Sequence, residues 1–516
     1  MNATIDQVAL LPLYAAGLTA LLAFVTDLIV PGRRCAVLAM TALGTVGTAV
    51  TAWIVGTGRD RGSFCVPAGC SLVADHTGAL VAVLFALLTL AVIALSTGWL
   101  TPEVPAGEFC FLLAASMTGG VALGYARDLI TLLVALETLT LPLYALVALR
   151  RRSVASAEGA ISFFIVSVIS SAVTLLGAAL LYAVTGALHF DALRSVLASN
   201  PSLRELPLTR AAVVLVLAGL AFKVAAVPFH AWAPAAYDGA PTPIAAYLST
   251  ASKLGGVIAI LYVAVRALGP SLAVTGPILA ALAAVTMTIG NIVALRQDRM
   301  VRLLAWSSIA QAGNILAPLG VAALARGRTV DVMTTAVVAT IAYTIFYVVL
   351  EIGAFGSVIA LHGSDDGGWL GDYRGVARRR PWIGVAFVLA LAGLAGLPPG
   401  LAGLFAKVVV VRSLLTGGAL WLAIVVGVNA VIGLAYYGRV IAIMCGPVPS
   451  AGELNAASPV RGAESASNGP SVAGRRLAWP VAVALIVVTT AGLIIGFAPE
   501  LIFHAVDSVA ILDTHR

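Results

Sequence analysis

Residues Phe222–Lys253 read FKVAAVPFHAWAPAAYDGAPTPIAAYLSTASK. Both lysines of this stretch, Lys223 and Lys253, adjoin long apolar runs, and Pro228 and Pro234 stand between them. Proline lacks an amide hydrogen and clashes with the carbonyl four residues back, so Pro228 interrupts a helix here. In a bilayer the freed backbone groups must meet water, protein or ions. A third lysine, Lys407, lies in LAGLFAKVVVV, after Pro398, Pro399, Gly400 and Gly403. These three are the only lysines in 516 residues, against 27 arginines, which mostly cluster between the apolar runs. Arginine stays protonated at any accessible pH, whereas a desolvated lysine can lose its proton near neutrality. A cation at the bilayer centre costs roughly 2.5–3.5 kcal/mol on insertion scales. Three such costs point to titratable amines needed within a membrane. A substitution bias toward arginine explains the arginines, but not why these three positions escaped it.

Composition sets the class. The chain is 60% hydrophobic and 10% charged, with mean hydropathy +1.03. A soluble protein of this length cannot hide so much apolar surface, so the chain reads as an all-α polytopic membrane protein. Apolar runs of about 18–25 residues, the length that spans a bilayer as a helix, recur from end to end. About fourteen are expected, the first centred near Leu18 and the last near Thr489. The amino terminus has no basic region before its first apolar run and reads as a first transmembrane helix. Arg33 and Arg34, then Arg150 to Arg152, then Arg296, Arg299 and Arg302, then Arg374 and Arg378 to Arg380, then Arg461, Arg475 and Arg476 fall in alternate loops. By the positive-inside rule those loops are cytoplasmic, and both termini lie on the outer side. The net charge of +7 is thus a topology signal with no nucleic-acid reading.

Redox and nucleotide chemistry find no support. The cysteines are Cys35, Cys65, Cys70, Cys110 and Cys445, with no CxxC pair and no histidine at ligand spacing. Zinc and iron–sulfur sites are not expected. Cys65 and Cys70 share the first outer loop and could be a disulfide or two free thiols. No strand pattern stands out and no phosphate-binding glycine loop occurs. The polar stretch Gly446–Arg476, rich in Ser, Ala, Gly and Pro, reads as a flexible cytoplasmic linker.

Glu137 stands mid-helix, thirteen residues before the Arg150 cluster, or about 20 Å along a helix at 1.5 Å per residue. A lone carboxylate there is expensive, so it protonates or pairs, and Lys223 is its natural partner. Such a pair is either a coupled proton site or a static bridge fixing helix packing. Lys253 can serve as the next station, with Gly255 and Gly256 allowing close approach. His230 can relay protons between the two lysines or donate to a freed carbonyl. Glu351 and Glu158 read as near-membrane acids, the latter an interfacial pair. Tyr436, Tyr437 and Arg439 read as the aromatic-belt end of a helix.

Four motifs together carry a resemblance. They are Phe222–Lys253, NIVALRQDRMVRLLAWSSIAQAG (Asn291–Gly313), LAGLPPGLAGLFAK (Leu394–Lys407) and NAVIGLAYYGRV (Asn429–Val440). The chain resembles the antiporter-like membrane subunits of proton-translocating NADH–quinone oxidoreductase (complex I). LETLTLPLYALVALRRR (Leu136–Arg152) followed by SAEGAISFF narrows this to the subunit N family. The resemblance implies about 14 transmembrane helices with two inverted five-helix repeats and discontinuous helices at Lys223 and Lys407. It implies proton conduction through Glu137, Lys223, Lys253 and Lys407. NAD, FMN, iron–sulfur clusters and quinone are expected in partner subunits, with none in this chain.

The expected partition is 1–107 for N-terminal helices, 108–268 and 269–445 for the two repeats, 446–478 for the linker and 479–516 for the last helix. The expected setting is a bacterial plasma membrane, with other membrane subunits, lipid and protons as partners. The alternative is an Mrp-type cation/proton antiporter subunit. Family members usually have lysine where this chain has Ser162, a basic residue at Val301, histidine at Gln311 and aspartate at Ala235, whereas Asp238 appears three residues later.

Overall fold

A computed structural model describes residues 4–100, 104–150, 153–363, 366–448 and 477–507. Eleven of its helices are long and apolar enough to cross a membrane. The first six crossings are Leu11–Ile29, Arg34–Gly56, His76–Ser96, Ala106–Tyr125, Leu129–Val147 and Val154–Thr185. The eighth is Thr242–Ala267, the ninth Leu272–Ala294, the eleventh Val330–His362, the thirteenth Leu420–Cys445 and the fourteenth Trp479–Phe497. Three further crossings complete the fourteen. The seventh is broken into Pro207–Lys223 and Trp232–Gly239, and the twelfth into Pro381–Ala395 and Leu401–Thr416. The tenth, Met300–Leu316, tightens into 3₁₀ turns at Ala317–Ala323. The eighth crossing and nearly all of the eleventh are enclosed by the others, so these two form the axis of the bundle.

Ion pairs sort the connections onto two faces. On one, Asp238 after the seventh crossing meets Arg299 at 2.9 Å and Arg302 at 3.8 Å, both beside the start of the tenth. Arg150, after the fifth, donates to the Asp238 carbonyl. On the other face Asp75, before the third crossing, pairs with Arg127, before the fifth, and Asp191, after the sixth, pairs with Arg266 at the end of the eighth. Odd-numbered connections thus meet odd and even meet even, as fourteen successive crossings require.

Crossings four to eight and nine to thirteen share one plan. In each set the third helix is the longest, 32 residues at Val154–Thr185 and 33 at Val330–His362. In each, the residue before the second helix makes an antiparallel bridge to the chain leaving the third, Asp128 with His189 and Arg299 with Trp369. The backbone bonds correspond: Leu129 to Leu188 and Phe190 to Arg127 in one set, Met300 to Gly368 and Leu370 to Asp298 in the other. Five crossings is an odd number, so the second set starts on the opposite face and is inverted.

The connection between the second and third crossings departs from the sequence expectation. It is a hairpin, β1 (Arg61–Val66) against β2 (Gly69–Ala74), with Cys65 opposite Cys70. The two cysteines form a disulfide. The strands are too short for alternation to register in sequence, and the turn consists of only Pro67 and Ala68. Most of the expected linker, residues 449–476, lies outside the described residues, as do Arg151, Arg152, Arg461, Arg475 and Arg476.

Glycines let the two halves of the twelfth crossing overlap. Gly396, at φ +80°, ends the first half in a left-handed conformation. A Cβ on Gly403 would lie 1.6 Å from the Gly393 carbonyl oxygen. Overpacking typically costs about 1–3 kcal/mol, and backbone cannot swing aside as a side chain can. Gly403→Ala is expected to lower the melting temperature of the detergent-solubilised protein by differential scanning fluorimetry. An unchanged melting curve would exclude this crossing of the half-helices.

Candidate functional site

The break in the seventh crossing places Lys223 as the last residue of its first half-helix. The chain then runs irregularly through Ala225, at φ +55°, before Trp232 resumes the helix. The Val227 amide is satisfied by Thr286 Oγ1 of the ninth crossing at 3.0 Å. The break is therefore tied to the second repeat.

Lys223 is 6% exposed, and its Nζ donates to Glu137 Oε1 at 2.9 Å, to Thr140 Oγ1 at 3.0 Å and to Ser167 Oγ at 3.4 Å. An ammonium has three donors, and all three are used. Glu137 Oε1 also accepts from Ser171 Oγ. The pair expected from sequence is thus formed, and its three hydroxyl partners were not foreseen. Thr140 sits three residues after Glu137, so both face Lys223 from one helix. That spacing was the available signal.

Lys253, 2% exposed, lies in the axial eighth crossing directly after a π-helical turn, Leu248–Ser252. Its Nζ donates to the Ser308 carbonyl at 2.6 Å and reaches the Val224 carbonyl at 3.5 Å. Val224 follows Lys223, so the two lysines share the break. Gly256 permits this, since a Cβ there would lie 2.9 Å from the Lys223 carbonyl carbon. Snorkelling to an interface is ruled out by this burial.

Lys407 sits in the second half of the twelfth crossing, and its Nζ donates to the Ala395 carbonyl at the end of the first half. Lys223 itself and the amine of Lys407 thus both lie at the carboxyl end of a first half-helix, where orphan carbonyls and the helix dipole favour a cation. His230 is half-buried, edge-on to Trp306 at 5.3 Å and against the Pro228 carbonyl. No hydrogen bond joins it to either lysine among the described residues.

A polar chain continues from Lys253 toward Lys407. Ser308 Oγ bonds Tyr347 Oη at 2.7 Å, Tyr343 Oη donates to Gln311 Oε1 at 2.6 Å, and Gln311 Nε2 donates to the Leu394 carbonyl at 3.0 Å. Tyr436 and Tyr437 correct the aromatic-belt expectation. Both are buried, Tyr436 donating to Asn291 and Tyr437 bonding Ser307 and Gln311. The helix runs on to Cys445, so the two tyrosines are interior residues. Glu351 is also no near-membrane acid, being wholly buried in the eleventh crossing. Among the described residues no group of three or more His, Cys, Asp or Glu is placed to hold a metal.

Fourteen crossings, two of them broken beside buried lysines, define an antiporter-like membrane subunit. The protein-family profile described as NADH:quinone oxidoreductase/Mrp antiporter, TM matches residues 126–433. The NADH-quinone oxidoreductase subunit N of Salinispora tropica is 59% identical over 511 residues, covering 97% of this chain and 98% of that protein. Among solved structures, respiratory complex I from Thermus thermophilus with bound aureothin contains a chain of TM-score 0.75 and 27% identity, covering 96% of this chain and 99% of that one. The Mrp complex from Dietzia sp. DQ12-45-1b contains one of TM-score 0.78 at 22% identity, covering 97% and 96%, a likeness of fold. This chain belongs to the NADH-quinone oxidoreductase subunit N family.

Removing Glu137 alone would leave the Lys223 ammonium without its counter-charge. Breaking a fully buried pair from one side costs about 3–5 kcal/mol. With Glu137 30% exposed the loss should fall below that range. Glu137→Gln is expected to lower the melting temperature of the solubilised protein, and adding Lys223→Met to recover part of it. Strictly additive shifts would mean that the two side chains do not interact.

Proposed function

We propose that this chain is the antiporter-like, proton-translocating membrane subunit of an NADH–quinone oxidoreductase, with Glu137, Lys223, Lys253 and Lys407 as proton stations. The observation that carries the reading is the pair of buried amines at one helix break, Lys223 bonded to Glu137 and Lys253 reaching the carbonyls of Val224, the residue after Lys223, and of Ser308. Each lysine can exist as ammonium or amine. Proton arrival at Glu137 weakens its hold on Lys223, and movement of Lys223 away from Glu137 lowers the amine's affinity for its own proton. The Lys223 proton then passes to Lys253 across the break. His230, bound beside the Pro228 carbonyl and half-buried, exchanges protons between the break and its surroundings.

The working units are 1–107, 108–268, 269–445, 446–478 and 479–516, with 108–268 and 269–445 as the two repeats. The partners are other membrane subunits, and lipid covers the apolar faces left outside them. NAD, FMN, iron–sulfur clusters and quinone belong to partner subunits, and electron transfer there supplies the conformational drive. The setting is a bacterial plasma membrane with the arginine-rich face cytoplasmic and both termini outside.

Lys223→Ala and Glu137→Ala are expected to lower the number of protons released per NADH oxidised in membrane vesicles while the complex still assembles on native gels. Wild-type ratios in both variants would leave the chain a structural subunit.

A further inference from the structure

Glu351 is 0% exposed, and neither of its carboxylate oxygens accepts a hydrogen bond of normal geometry from a described residue, although the Tyr347 hydroxyl stands close by. Leaving a buried polar group without a partner is costly, and more so when it is charged. Buried groups in that state are rare in folded proteins and mark strain, catalysis or ion handling.

The surroundings of Glu351 indicate which. Lys253 of the eighth crossing acts on it electrostatically. Tyr237 faces it from the second half of the broken seventh crossing, and Tyr436 and Tyr437 from the thirteenth. Tyr347 lies beside it, one turn earlier on the same helix. Tyr347 gives its proton to the Ser249 carbonyl at 2.9 Å, so Ser308 Oγ is the donor in their 2.7 Å contact. The same Ser308 accepts the Lys253 ammonium through its carbonyl. Lys253 and Glu351 therefore share one polar cluster.

Beyond this cluster the bonded groups toward Lys407 are hydroxyls, the Gln311 amide and backbone carbonyls. An amide does not titrate, and tyrosine hydroxyls ordinarily release a proton only near pH 10. A carboxyl is the group in this interval that can hold a proton and return it near neutrality. The helix that carries Ser308 and Gln311 holds no titratable side chain after Arg302.

We propose that Glu351 is a proton-carrying residue of this chain, standing between Lys253 and Lys407. An N–H bond of the Lys253 ammonium breaks and an O–H bond forms on Glu351 within the cluster they share, which turns an ammonium and a carboxylate into an amine and a carboxylic acid. The acid then releases its proton toward Lys407, and net charge is conserved at each step. This rests on the relay proposed above.

The test measures protons released per NADH oxidised, across the neutral pH range, in vesicles holding the whole complex with Lys223→Ala, Glu351→Gln or Glu351→Asp. Glutamine keeps the shape and cannot titrate, while aspartate titrates on a shorter arm. Glu351→Gln is expected to lose as much pumping as Lys223→Ala, and Glu351→Asp to regain it with a displaced pH profile. If Glu351→Gln pumps normally while Lys223→Ala does not, Glu351 carries no proton and the rest of the relay stands. If both pump normally, the relay itself fails. If Glu351→Gln does not assemble, the aspartate variant decides: a displaced profile supports the role, and an unmoved one overturns it. Loss with both Glu351 variants, without rescue by aspartate, makes Glu351 a packing residue.

Discussion

An ammonium inside a bilayer must be solvated by the protein, and the helix breaks exist where that solvation is supplied. An intact helix commits its carbonyls to its own ladder, and only its last four are orphaned. Interrupting the seventh crossing at Lys223 and the twelfth at Ala395 creates such carbonyls in mid-bundle. Val224 offers one toward Lys253 and Ala395 offers one to Lys407. Lys223 alone receives a carboxylate and two hydroxyls. The three amines are thus held with unequal strength.

The repeats share a backbone plan but not a distribution of acids. In the first, the acid stands on the second helix of the set, at Glu137. The corresponding helix of the second repeat carries Ser307, Ser308 and Gln311 in its buried middle. The acid of that repeat stands instead on its third helix, at Glu351. Inversion brings these elements together at the axis, because Lys253 ends the first repeat and bonds Ser308 of the second. The tenth crossing holds no titratable side chain after Arg302, and the neighbouring eleventh holds the buried carboxyl of Glu351.

Much of this was legible in the sequence, for a physical reason. Lysine, glutamate and proline are costly in a bilayer, so their presence within apolar runs is informative residue by residue. Glu137, Lys223, Lys253, Lys407 and both breaks were read on that basis. Serine and threonine carry little such information, because their hydroxyls can satisfy themselves on the preceding turn, as Thr344 does on Thr340. Ser167 and Ser171 are therefore silent until helix packing is known, and Thr140 is marked only by its spacing from Glu137. Glu351 was misread because it lies toward the end of a helix of 33 residues, which is longer than a bilayer needs. Tyr436 and Tyr437 were misread for the opposite reason, since their helix continues past the point where the apolar pattern weakens.

On the relay proposed above, the interface between the repeats is where relative movement would act on the proton path. The Lys253 contact with Ser308, the Val227 contact with Thr286 and the Asp238 pair with Arg299 all cross it. The first holds an amine, the second the break beside Lys223, and the third the far end of the same broken helix. A shift of one repeat against the other by an ångström or two, about the size of helix movements in switching proteins, lengthens the first contact beyond hydrogen-bond range. Lys253 would then lose its close acceptor and, with it, part of its hold on a proton. On that relay, a mechanical displacement delivered from outside the chain would be converted at this contact into a change of proton affinity, with no redox group required in the subunit itself.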